Sequence, residues 1–149
     1  MNTSMMTIDG NSMNCLLMNA DVVLIDQQRK IGCGDIFVYN FNGSKIIHRV
    51  LFVGFLSIWE AGDNNYRIRK VKKTQVVAKV VANITRNIDL DSPKLNRKIT
   101  RLNFLRCLLG KNITSTRSLM KNKTICKLIL ILTKYRNSLQ LQYKKYGED

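Results

Sequence analysis

The sequence predicts a mainly β fold, a small antiparallel β sheet or barrel, with an α-helical appendage at the C-terminus. Three observations carry this. Runs rich in Val, Ile, Phe and Tyr fill the first 85 residues and are broken by turn-prone "GCGD", "NGS" and "GDNN". The segments joining those runs are too short for parallel crossovers. Beyond the only proline, Pro93, the apolar residues fall at steps of three and four instead.

In chain order, "DVVLID" (Asp21–Asp26), "DIFVYNF" (Asp35–Phe41), "KIIHRVLFVGF" (Lys45–Phe55) and "QVVAKVVANI" (Gln75–Ile84) read as strands. Asn42-Gly43 between two apolar runs is a strong hairpin signal, so the second and third should pair directly. "NIDLDSPKL" (Asn87–Leu95) marks a boundary. This gives a β domain over residues 1–86, a linker over 87–94 and a basic helical extension over 95–149. Leu95, Ile99, Leu102, Leu105 and Leu109 predict one amphipathic helix, with Gly110 as its stop. Ile125, Leu128, Leu132, Tyr135 and Leu139 predict a second.

Composition narrows the class. With 149 residues and 45% hydrophobic, the chain can bury a modest core and is not disordered. The formal charge of +15 is uneven: residues 1–93 carry +3 and residues 94–149 carry +12. That asymmetry, with Lys94, Arg97, Lys98, Arg101, Arg106, Lys111 and Arg117, predicts an acidic partner. An anionic membrane surface or an acidic peptide fits better than nucleic acid. Phe104, Tyr135, Tyr143 and Tyr146 do not form a regular stacking platform. A merely solvated helix face is the plainer alternative.

Cys15, Cys33, Cys107 and Cys126 form no CxxC pair, which argues against a zinc site and for scattered thiols in a reducing compartment. Residues 1–15 lack the pattern of a secretory signal. "ICKLILIL" (Ile125–Leu132) is far short of the roughly 20 residues that span a bilayer. A cytoplasmic location is expected, with peripheral membrane contact through residues 94–149.

Cleaving a peptide bond with a serine needs an accessible hydroxyl, a base, and N–H groups to hold the oxyanion. Ser12 follows Gly10-Asn11, and Gly10 permits the sharp turn such a hydroxyl needs. The second glycine of an α/β-hydrolase elbow is missing, because Asn14 stands in its place. His48 is the only histidine, and Asp63 is a carboxylate able to orient it. Taken singly, His48 reads as a packed strand residue and Asp63 as a turn aspartate. Cys15 has no separate base in view and reads as a small core residue. Asp9, Asp21 and Asp35 read as turn and strand-cap residues.

Together, four stretches resemble the ordered motifs of the type I signal peptidases and their S24/S26 relatives. "GNSMNCLLMNADVVLID" (Gly10–Asp26) is similar to the nucleophile motif. "GCGDIFVYN" resembles the next, a Gly-Asp-Ile turn opening a strand. "KIIHRVL" resembles the motif of the general base, with histidine as in the endoplasmic-reticulum and archaeal enzymes rather than the bacterial lysine. "AGDNN" resembles the last motif, which supplies the aspartate.

The resemblance implies the signal-peptidase/LexA-like β fold. It also implies Ser12 as nucleophile, Met13 packed beneath it, His48 as base and Asp63 as its orienting carboxylate. Arg49 should point to the opposite face and pair with an acid such as Asp35. The implied activity is a serine endopeptidase that removes a leader or signal-type segment from an extended peptide or protein, with small residues beside the cut. No metal or organic cofactor is implied.

Departures from the family pattern are Asn14 for the usual proline, Cys15 for the usual threonine, and Gly10 where bacterial members place a serine that can help hold the oxyanion. Losing one such donor costs about 10²–10³ in rate. With nine residues before Gly10, the family's membrane anchor ahead of the serine motif is not expected here. Two alternatives remain open. One is a basic binding module on a catalytically weak or inactive protease fold. The other is a self-cleaving repressor-type regulator, although those use a lysine base and an N-terminal DNA-reading domain, and neither is expected from these residues.

Overall fold

A computed structural model describes residues 3–114 and 123–147. The β part is one antiparallel sheet of eight strands: β1 (Thr3–Thr7), β2 (Val22–Asp26), β3 (Ile36–Phe41), β4 (Ser44–Val53), β5 (Ser57–Ala61), β6 (Arg69–Lys72), β7 (Val76–Asn83) and β8 (Ile88–Asp89). Its order is β1-β2-β7-β3-β4-β5-β6, with β8 added beside β7. Two helices follow, α1 (Pro93–Thr114) and α2 (Lys123–Gln140). The protein is therefore mainly β with a helical C-terminal segment, as the sequence predicts.

The β3–β4 hairpin forms where Asn-Gly predicts it. Asn42 and Gly43 both adopt positive φ, 49° and 80°, the pair of left-handed residues that a tight primed turn requires. Ile36, Phe37, Val38 and Tyr39 of β3 are all buried, which explains a continuous apolar run in place of alternation. Ile36 and Val38 join Met13, Leu16, Leu17, Val23, Ile25 and Val80 in the largest core cluster. Phe37 and Tyr39 pack on the other face with Val50, Ile58 and Val71.

The structure departs from the expected elements in ways that have physical causes. β1, β5 and β6 were not foreseen. The sequences TSMMT, SIWEA and RKVK have little β-branched content, and pairing with the adjacent strand in the chain, β1 on β2 and β6 on β5 on β4, holds them as strands. β4 ends at Val53 instead of running to Phe55, because the chain turns back with the Gly54 N–H donating to the Ser57 carbonyl at 2.8 Å.

Helix α1 passes through Gly110 instead of stopping there. A Cβ at this position would lie 2.6 Å from the Tyr66 ring, so the glycine serves close packing. The helix is also rotated relative to its leucine stripe. It buries Asn96, Thr100, Asn103 and Arg106 beside Leu95, Ile99 and Cys107, while Leu105 is exposed. Arg117 and the side chain of Lys111 lie outside the described residues. Among the described residues, no helix is long and apolar enough to cross a membrane.

Candidate active site

Three segments far apart in sequence converge: the loop joining β1 to β2, the middle of β4, and the turn after β5. The first is anchored from below. Met13, Leu16 and Leu17 are buried in the main core, and the Leu16 and Leu17 N–H groups both donate to the Met13 carbonyl at 3.1 Å. Gly10 has φ 119°, a conformation that side chains disfavour, and its N–H donates to Asn19 Oδ1 at 3.0 Å. Ser12 is thereby held at the surface of the core while Met13 points inward.

The turn after β5 locks onto this loop. The Asn64 N–H donates to the Ser12 carbonyl at 2.7 Å, and the Asp63 N–H donates to Met13 Sδ at 3.3 Å. Gly62 is pressed so close that a Cβ there would lie 2.7 Å from the Ser12 carbonyl oxygen and 3.0 Å from the Ser12 Cβ. The Met13 sulfur thus both fills the core and accepts a backbone N–H.

Ser12 and His48 line one cleft of about 270 Å³, together with Met6, Ile8, Lys45, Asn65 and Arg69. The His48 ring is buried, and its Nδ1 meets Glu60 Oε2. The Tyr39 hydroxyl donates to the other oxygen, Oε1, at 2.9 Å. Burial and the adjacent Glu60 carboxylate raise the Tyr39 hydroxyl above its ordinary pKa, so it remains a donor to Glu60. A bonded Nδ1 fixes the ring's orientation and leaves Nε2 as its other polar atom.

The expectation that Asp63 holds the imidazole is corrected by this geometry. His48 and Arg49 are consecutive in a strand and project to opposite faces, and Asp63 lies on the Arg49 side. Arg49 Nε and Nη2 donate to the two Asp63 oxygens, each at 2.8 Å, as a bidentate pair. Asn103 of α1 donates to Oδ1, and Gln140 of α2 donates to Oδ2 at 2.9 Å. Arg106 Nη1 donates to the Asp63 carbonyl at 2.7 Å. Arg49 is spanned further by the Gly34 carbonyl at 2.9 Å and Asn96 Oδ1 at 3.0 Å.

Burial alone would push the Asp63 carboxyl up, but the Arg49 charge and bonds outweigh it and hold the group below the usual carboxylate range. Arg49 does point away from His48, as expected, but its partner is Asp63. Asp35 instead binds Lys79 at 3.2 Å and accepts the Gly32 N–H at 2.8 Å. Cys15, expected as a core residue, is exposed. Asp21 caps its turn, as expected, by accepting the Met18 N–H at 2.8 Å.

Glu60 is the residue that sequence reasoning missed. One signal could have found it: in SIWEA the glutamate stands at a position that alternation turns toward the core, on the strand returning from His48. A fully buried carboxylate needs bonded partners, and His48 and Tyr39 supply them.

A comparison with curated proteins finds no match. The Peptidase S24-like family model, by contrast, matches residues 1–81, a span that includes Ser12, His48, Glu60 and Asp63. With more than half of its length matched, and with the mainly antiparallel β architecture described above, the chain belongs to the Peptidase S24-like family.

Proposed function

We propose that the protein is a serine endopeptidase with Ser12 as nucleophile, His48 as general base and Glu60 as the carboxylate orienting the base. The observation that carries this reading is the shared cleft. A serine hydroxyl and an imidazole line the same opening, and the imidazole's far nitrogen is tied to a buried carboxylate. Ser12 Oγ attacks the scissile carbonyl while His48 Nε2 takes its proton. That proton then passes to the leaving amine, and a second cycle with water releases the acyl group. Glu60 keeps the ring in the required tautomer and stabilises the imidazolium. The backbone N–H of Ser12 is the oxyanion donor in this scheme. Asp63 has a supporting role, tying the serine loop to Arg49 beside the base.

The proposed substrate is a leader or signal-type segment of a precursor, bound in extended form. The sheet ends at β1, and Met6 and Ile8, at and just beyond its end, border the cleft, so an added strand could pair there.

A fluorophosphonate probe tests the reading. Wild type should label, Ser12→Ala should not, and His48→Ala should label far more slowly. Labelling that persists in Ser12→Ala, or folded wild type that never labels, would overturn it in favour of a binding module. The S24-like match equally supports a self-cleaving regulator. In that case the chain's own cleavage would be first order and independent of protein concentration, whereas a precursor-processing enzyme cuts an added peptide in proportion to enzyme.

A further inference from the structure

We infer that the flank formed by the β4–β5 hairpin and the N-terminal half of α1 is a docking surface for a bilayer rich in anionic lipid. The hairpin tip, Phe55-Leu56, is 91% and 74% exposed, although polar and glycine-rich sequences usually form such tips. Behind it, Phe52 and Trp59 face each other across the strands and remain 61% and 45% exposed. Two hollows of about 560 and 780 Å³ share Trp59, Ile68 and Phe104 in their walls, so the apolar surface continues from the sheet onto the helix. Soluble surfaces rarely leave so many large apolar groups contiguous without a partner.

Charge decides which partner. Arg97 and Arg101 border one hollow and Arg67 and Lys70 the other, all exposed, and no acidic side chain lines either. An apolar centre with Trp, Tyr and Phe inside a cationic rim suits the lipid–water boundary, where aromatic rings sit at headgroup depth and cations meet anionic headgroups. A second copy of the chain would bring the same cations against these, at a formal charge of +15 each. A nucleic acid would use the cations and could stack on the rings, but it has no need of the exposed aliphatic Leu56 or of Ile68 in the hollows.

The acidic-membrane partner expected of the basic C-terminal third is thus reassigned to a combined surface, in which α1 supplies only part and the sheet supplies the insertion. Trp59 and Glu60 are neighbours on β5 and project to opposite faces, so docking leaves the His48 side open.

Trp59 is the only tryptophan and reports directly on this face. The full chain is mixed with phosphatidylcholine vesicles containing about a third phosphatidylglycerol, and Trp59 emission and co-flotation are followed. Wild type should float with the vesicles and its emission should shift to the blue. Phe55→Ser/Leu56→Ser should weaken binding by about tenfold or more, and so should Arg97→Gln/Arg101→Gln, the latter losing most of its salt dependence. The proposal falls if folded wild type neither floats nor shifts, or if the tip variant binds as wild type does. It falls equally if the shift appears with single-stranded RNA and not with vesicles, or grows with protein concentration in the absence of lipid.

Discussion

Glu60 and Asp63 are both buried, stand three residues apart and hold different partners, because consecutive strand residues present His48 to one and Arg49 to the other. Their variants should therefore fail differently. Glu60→Gln should keep the fold and lower fluorophosphonate labelling by about 10²–10⁴, the range seen when an orienting carboxylate loses its charge. Asp63→Asn should cost about 3–5 kcal/mol in denaturant unfolding, because Arg49 would be left buried without its counter-charge. The thiols offer a third check. Burial pushes Cys107 up to about 11, whereas Cys15 is exposed. Iodoacetamide at neutral pH should therefore modify Cys15 in the folded protein and Cys107 only after unfolding. Ser12 and His48 were legible in the sequence because their neighbours carry motif residues. Glu60 was not, since its role depends on a hairpin that brings position 60 back to position 48.

The β4–β5 hairpin and the β1–β2 loop show how separate elements set one distance. The loop carries Ser12, the hairpin carries His48, and the Gly62 turn presses on the loop from the hairpin's far end. Gly62→Ala would force Ser12 to move by tenths of an ångström or more. It should lower labelling and peptide cleavage by up to about 10²-fold with the sheet intact, the loss that misplacing a reacting group by about 1 Å brings. Far-ultraviolet circular dichroism would confirm the fold. Among the elements, β2, β3, β4 and β7 were legible because each carries a dense β-branched or aromatic run, and the Asn-Gly turn settled one pairing. The edge strands β1 and β6 were not, because short polar strands are specified by the partner they meet. The buried face of α1 was misread for a related reason. Helical periodicity locates leucines, but Asn96, Asn103 and Arg106 turn inward to satisfy Arg49 and Asp63, and no local pattern announces that need.

Over the whole molecule, stability should fall at both ends of the pH scale. The carboxyl of Asp63 is buried and that of Asp91 is half-buried, which alone would raise them. Arg49 in one case, Lys79 and Arg29 in the other, outweigh burial and hold both below their ordinary value of 3.8. A carboxyl lowered on folding contributes stability that is complete above its unfolded value and is lost as pH falls through the folded one. The urea midpoint should therefore be flat near neutrality and decline once pH drops below about 4. Lys79, raised above its ordinary 10.5 because Asp91 and Asp35 outweigh its burial, gives the opposite limit, a contribution lost as pH climbs through that region. The charge asymmetry was legible from composition, but Arg106 and Arg136 of the basic third are buried, so part of that charge is internal. Because Asn103 and Gln140 both reach Asp63, the two helices belong to the same machine as the matched family region. Anyone transplanting residues 1–81 into another protein would strand an acid whose companions were left behind, and such a chimera should need replacement amides before its serine loop could settle.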